Sequence, residues 1–145
     1  MRIATLIVTA ALLVAFVQPA AAQQSETFGN YEVHYNTLNT NMLSPEIASV
    51  YGIQRSGTQA MLNVTVLNRE TREAVAAAVD VIATNLTGQR RDIKLRRIDD
   101  QGAIYYIGQF RIHDEETLNF NVSVKPAGFD GDAFELTFRQ RFFTG

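Results

Sequence analysis

Catalysis needs nucleophiles, bases or metal ligands brought together, and this chain carries few of each. It has two histidines, His34 and His113, and five serines: Ser25, Ser44, Ser49, Ser56 and Ser123. A serine nucleophile needs an imidazole within hydrogen-bond reach and a sharp strand-to-helix turn that exposes its hydroxyl. None of the five lies in such a setting, and their surroundings fit caps, turns and strand faces. The chain has no cysteine, which excludes disulfides, thiolate nucleophiles and thiolate metal sites. No catalytic residue and no cofactor is assigned, and the chain is expected not to be an enzyme.

Oxygen and soft ligands remain. His34 falls on the polar face of an alternating segment, and His113 sits at a segment end beside Asp114. Met42 and Met61 could join them at copper, but there is no His-x-His pair and no methionine cluster. Two unrelated, exposed histidines are the commoner meaning of that pattern. Aspartates give a sharper candidate. If successive turns of an antiparallel fold alternate between its two ends, Asp99 and Asp100 share an end with Asp130 and Asp132. Four carboxylates there could hold calcium, although acidic turns are more often simply solvated.

The opposite end gathers the Asn85–Arg91 turn and the Asp114–Glu116 turn. Arg90 and Arg91 then face Asp114, Glu115 and Glu116, with Lys94, Arg96 and Arg111 extending a basic surface. Such a surface suits an anionic envelope component, a cell-wall polymer or lipid head groups. A solvated face with interspersed carboxylates is the blander meaning. Tyr105 and Phe143 are out of phase with their inward neighbours. Each is either exposed for a partner contact or packed against a helix around Ile47 and Tyr51.

The elements that must position these residues begin after a leader. Arg2 gives a short positive start, Ile3 to Val17 is apolar, Pro19 breaks the run, and Ala20-Ala21-Ala22 supplies small residues for cleavage. That is the layout of a secretory signal peptide over residues 1–22, too short to remain as a membrane span. Cleavage leaves residues 23–145 as a single domain and removes one positive charge from a chain whose net charge is −2. That mild acidity argues against nucleic acid as a partner. Without cysteine the mature N-terminus carries no lipid anchor, and no later segment is long and apolar enough to span. The expected product is soluble and periplasmic.

Behind the leader, Gln23 to Thr27 reads as a loose end. Tyr31, Val33 and Tyr35 alternate with polar residues as a half-buried strand. Ser44, Pro45 and Gly52 then bracket a short helix as cap, first-turn proline and C-terminal glycine. Ala60, Leu62, Val64 and Val66 make the next alternating face, and Asn68–Thr71 a turn. Residues 72–86 fit helix or strand, and strand is expected because every neighbouring segment has period two. Ile93 and Leu95 alternate with Asp92, Lys94 and Arg96, followed by an Asp99–Gly102 turn. Ile104, Tyr106, Phe110 and Ile112 point one way, with Gly108 marking a bulge or a close backbone approach. Leu118, Phe120, Val122 and Val124, then Phe134, Leu136, Phe138 and Phe142, complete six or seven strands. The pattern predicts an all-β antiparallel sandwich with one short helix near the N-terminus, a closed barrel being the alternative.

Several segments carry a resemblance: Tyr51-Gly-Ile-Gln-Arg-Ser56, Asn85-Leu-Thr-Gly-Gln89, Ala103-Ile-Tyr-Tyr-Ile-Gly-Gln-Phe110, Leu118-Asn-Phe-Asn-Val-Ser-Val-Lys-Pro126 and Phe138-Arg-Gln-Arg-Phe-Phe143. Together they resemble domain of unknown function 4426, a family of small secreted proteins of Gram-negative bacteria. The resemblance implies a periplasmic, immunoglobulin-like sandwich and brings no established activity and no catalytic residues. The expected function is a non-catalytic binding or accessory module. An envelope chaperone-like or inhibitor protein that recognises another protein is the alternative, and a calcium or copper carrier is less favoured.

Overall fold

The computed structural model describes residues 24–145; the leader assigned to residues 1–22 lies outside them. Among the described residues nine strands, one α-helix and one 3-10 turn follow in order. They are β1 (Gln24–Phe28), β2 (Tyr31–Asn39), the 3-10 turn (Thr40–Met42), α1 (Pro45–Tyr51), β3 (Gln59–Asn68) and β4 (Ala77–Asn85). Then come β5 (Arg90–Ile93), β6 (Arg96–Asp100), β7 (Ala103–Arg111), β8 (Glu116–Pro126) and β9 (Phe134–Phe142). All pairings are antiparallel, in two sheets ordered β1-β2-β3-β7-β6 and β5-β4-β8-β9.

Period-two alternation places the core. Leu118, Phe120, Val122 and Val124 of β8 are fully buried, and so are Ala60, Leu62 and Val64 of β3. They meet Val33, Tyr35, Phe110, Leu136 and Phe142 in one core shared by both sheets. Phe110 packs edge-on against Phe120 and Phe142, with ring centroids 5.6 and 5.5 Å apart. Each such buried aliphatic or aromatic side chain stabilises the fold by roughly 1.5–3 kcal/mol. The Tyr106 hydroxyl accepts from the Ala77 amide at 2.9 Å, tying β7 to the start of β4.

The helix forms as its caps dictate. Ser44 Oγ accepts from the Ile47 amide at 3.2 Å, and Gly52 ends the helix at φ 64°. Ala48 and Ile53 pack on Met61 and Ile107, residues of β3 and β7 that point away from the main core. The 3-10 turn is pinned by Thr40, which is fully buried. Its hydroxyl donates to Ser56 O at 3.1 Å and accepts from Ser56 N at 2.9 Å.

Residues 72–86 do contain the expected strand, from Ala77, with Val81 and Ala83 buried. Nine ladder positions against β8 outweigh the helical preference of the alanines. Three expectations are corrected. The loose end is β1 instead: its residues pair with Tyr31–Tyr35, anchored by Phe28 stacked on Phe134 at 4.7 Å. The alternating stretch around Ile93 and Leu95 is two strands in different sheets, because the chain crosses between the sheets at Lys94-Leu95. Asp99 and Asp100 are ladder residues of β6, opposite Ile104 and Ala103. The turn is only Gln101-Gly102, at φ 50° and 84°, the positive-φ pair that a tight hairpin requires.

Candidate partner-binding cleft

Two clefts stand out, and they differ in chemistry. The larger, about 580 Å³, lies where the C-terminal half of β2 faces β9. Its floor is aromatic: Tyr35 stacks on Phe138 at 4.6 Å, and Phe142 is buried. Its rim is apolar and open, with Met42 76% and Phe143 53% exposed. Arg141 is the sole charged residue of the lining, and its guanidinium carbon sits 5.3 Å from the centre of the Phe143 ring.

Phe143 is held in place although it is exposed. The Asn39 side-chain amide donates to Phe143 O at 2.7 Å, and the Thr144 amide donates to Asp114 Oδ1 at 3.0 Å. These bonds fix the backbone beneath the ring, so less entropy is lost there when a partner covers the exposed aromatic. Sequence reasoning singled out Phe143 from its phase. It weighed Met42 only as a copper ligand, and no local pattern in the sequence reports that Met42 and Phe143 meet.

The smaller cleft, about 470 Å³, is polar and lies at the expected meeting of the Asn85–Arg91 and Asp114–Glu116 turns. Arg91 donates to Glu116 Oε1 at 2.9 Å and to Arg111 O at 2.7 Å. Asn85 builds the opposite wall. Its Oδ1 accepts from the Thr87 and Gln89 amides at 3.2 and 2.8 Å, and its Nδ2 donates to Gln89 Oε1 at 2.8 Å. Arg90, His113 and Glu116 line the same space. Only Glu116 contacts His113 closely, through the His113 backbone amide at 3.4 Å, so no proton relay is assembled.

The remaining sequence candidates are dispersed. Arg96 donates to Tyr51 O at the end of α1 and so serves the helix rather than a basic surface. Lys94 is exposed at the crossover. Tyr105 takes the helix-packed of its two expected settings and not the exposed one: α1 covers its face of the sheet and Tyr51 lies 6.2 Å away, ring to ring. Burial, with Tyr105 and Asp100 nearby, pushes the Tyr51 hydroxyl above its ordinary pKa. Asp99 is engaged by Arg97, at 3.0 Å, and this hydrogen bond raises the Arg97 pKa. Asp100 Oδ2 is 3.5 Å from the Tyr51 hydroxyl, while Asp130 and Asp132 are exposed on the β8–β9 loop. Among the described residues no three His, Asp or Glu side chains converge as a metal would need, so the four aspartates are not brought together. His34 lies apart from His113, on the outer face of β2, with Nε2 2.9 Å from Glu32 Oε1. The Arg72 hydrogen bond, above all, holds the Glu32 carboxyl below its ordinary pKa.

Residues 25–145 match domain of unknown function DUF4426. The chain belongs to the DUF4426 family. A DUF4426 protein of Pseudomonas aeruginosa PAO1 with a crystal structure is 36% identical, over 83% of this chain and 94% of that one, at a TM-score of 0.73. FetP of uropathogenic E. coli strain F11, recombinantly expressed in the periplasm of E. coli, is 11% identical over 84% and 94%, at a TM-score of 0.60. A copper-bound variant of FetP is likewise 11% identical, over 83% and 95%, at 0.60. These two likenesses are of fold alone. No curated protein matches the chain.

In DUF4426 terms, the segments that carried the resemblance divide by role. Phe138–Phe143 supplies the floor and rim of the apolar cleft, and Asn85–Gln89 builds a wall of the polar one. Tyr51–Ser56 closes the helix and anchors the 3-10 turn. Leu118–Pro126 and Ala103–Phe110 are β8 and β7, the middle of the scaffold.

Proposed function

We propose that this DUF4426 chain is a non-catalytic, periplasmic binding module that recognises another protein through the β2–β9 cleft. The observation that carries the reading is the open apolar cleft with Met42 and Phe143 on its rim. Exposed apolar groups that ring a concave floor characterise protein contacts rather than reaction centres. The strand orders suit an immunoglobulin-like sandwich, a scaffold that carries function on edges and loops. The leader pattern of residues 1–22 supports export, cleavage and residence in the periplasm as a soluble domain. Consistent with that, no helix among the described residues is long and apolar enough to cross a membrane.

An anionic envelope component is less well supported, since Arg91 and Arg96 are engaged within the chain. Metal carriage has one observation in its favour, the approach of His34 to Glu32, and no third carboxylate or imidazole to complete a site. Replacing His34 and His113 together with alanine should leave Cu(I) affinity unchanged in a competition titration, and a marked loss would restore the carrier.

The recognition reading is tested by placing a photo-crosslinking amino acid at Phe143 or Met42 in intact cells, with Lys125 as an exposed control. A discrete adduct from the two cleft positions and none from the control supports it. Adducts from none of the three positions would defeat it.

A further inference from the structure

We infer that the polar cleft between the Asn85–Arg91 and Asp114–Glu116 turns is a second binding site, and that it takes a small acidic sugar. The site is separate from the β2–β9 cleft, so neither reading depends on the other.

Its walls are fixed before anything enters. On one side the Asn85 amide donates to Gln89 O at 3.0 Å and the Gly88 amide to Asn85 O at 3.1 Å, closing the β4–β5 turn. On the other the Glu116 amide donates to His113 O at 3.2 Å, closing the β7–β8 turn. Arg91 ties the two together through its bonds to Glu116 and to Arg111 O. Groups held in this way lose little freedom when a ligand arrives.

The hydrogen-bonding capacity left over specifies the ligand. Glu116 Oε1 accepts from Arg91 at 2.9 Å and from the His113 amide at 3.4 Å, while Oε2 has no partner among the described residues. Gln89 uses its Oε1 for Asn85; its Nε2 and the His113 ring are unpartnered among the described residues. Arg90 is exposed and forms no ion pair there. The carboxylates of the neighbouring turn are engaged elsewhere: Asp114 Oδ1 accepts from the Thr144 amide, and Glu115 faces Arg141 at 3.7 Å. Asp92 lies outside the lining.

Charge then chooses among polar ligands. Arg91 is matched by Glu116, so the positive charge left in the lining is that of Arg90. One carboxylate neutralises it. An amino acid would not, because its ammonium group cancels its own carboxylate. A polyanion would bring more charge than the site can meet. Glu116 Oε2 calls for a hydroxyl donor, and Gln89 Nε2 for a hydroxyl or ring oxygen that accepts. Every lining residue is polar, which disfavours a ligand with an apolar face. A volume of about 470 Å³ lies within the range that holds a small molecule. One carboxylate among several hydroxyls, in a body of that size, is the chemistry of a sugar acid.

The test titrates glucuronate into the isotope-labelled secreted protein, residues 23–145, and follows backbone amides by NMR. Saturable shifts confined to Asn85–Arg91 and His113–Glu116, absent with glucose and weaker with serine or acetate, support the site. Arg90→Gln should weaken glucuronate about tenfold. Lys125→Gln, an equal loss of charge outside the lining, should leave the affinity unchanged. Arg90 makes no ion pair, so its variant is expected to fold. Glu116→Gln removes the acceptor and leaves Arg91 unmatched, and should move the preference from glucuronate toward acetate.

Shifts that map elsewhere, an equal response to glucose, or unchanged affinity in Arg90→Gln overturns the inference. So does an absence of saturable shifts at millimolar glucuronate. Equal saturation by acetate makes the cleft a general anion pocket, and tighter binding of serine makes it an amino-acid site; either result also overturns the inference. Crosslinking from Phe143 and Met42 reports on the other cleft, so the recognition reading stands or falls separately.

Discussion

The two lateral sides of the paired sheets solve the same problem in opposite ways. On one side β5 ends at Ile93, the chain crosses at Lys94-Leu95, and β6 begins at Arg96 in the other sheet. The crossing lies so close to β7 that only a glycine fits beneath it. A Cβ on Gly108 would stand 2.6 Å from Ile93 Cγ2, 2.7 Å from Leu95 Cδ2 and 2.9 Å from Lys94 O. On the other side, among the described residues, nothing crosses. A cleft of about 580 Å³ lies there between β2 and β9, over Phe138 and Phe142. A covalent crossover shields one margin from unintended pairing, whereas the opposite margin exposes Met42 and Phe143 around an apolar cleft. The difference teaches where recognition is feasible: at the margin that presents exposed apolar side chains rather than a chain crossing.

The largest expected effect separates the floor of the open side from its rim. Phe142 is buried and packs on both Phe110 and Phe120. Phe142→Ala should cost about 3–5 kcal/mol in urea unfolding. A loss below 1 kcal/mol would mean that the open side is not continuous with the core. Next is the closed side. Gly108→Ala forces the crossover outward and should cost about 1–3 kcal/mol through overpacking, measured by the same unfolding curve. A neutral result there would dissolve the contrast between the two margins.

Within β2, the half covered by β1 carries a pH-dependent pin. The Arg72 hydrogen bond lowers the Glu32 pKa from its ordinary 4.5, so the folded state favours the ionised carboxylate. That contribution is complete above the unfolded value and is lost as pH falls through the folded one. Glu32→Gln should therefore flatten the stability profile on the acid side of pH 4.5 and leave its shape near neutrality unchanged. An unaltered acid limb would show that the pair contributes nothing. The smallest effect on stability falls on the rim. Phe143→Ser should shift unfolding by no more than about 0.5 kcal/mol while weakening partner capture, which pull-down against the crosslinked partner would measure.

Much of this was legible from local pattern. The Ser44, Pro45 and Gly52 signals bracketed α1 correctly, because capping chemistry is local. The faces of β3, β8 and β9 followed from alternation, and the special status of Gly108 followed from a missing side chain in an otherwise bulky strand. The Arg91–Glu116 contact was anticipated from the alternation of turns between ends. That same rule put the four aspartates at one end but could not bring them within reach of one ion. An end of a sheet pair is wider than a coordination sphere. β1 escaped notice because Gln24–Phe28 has one large apolar residue, and Phe28 declares itself only when stacked on Phe134. The split of β5 from β6 escaped because Ile93 and Leu95 stay in the core phase across the change of sheet.

By itself the sequence determined an all-β, antiparallel, cysteine-free domain of the DUF4426 family, with one short helix and a leader-like N-terminal segment. Those properties are written in composition, period and caps, which act over a few residues. Tertiary structure alone decided that the β5–β6 crossing seals one margin over Gly108, and that Met42 and Phe143, a hundred residues apart, stand at one mouth of the other. The reason is that edges and clefts arise from how distant strands end relative to one another, and no window of neighbouring residues contains that difference.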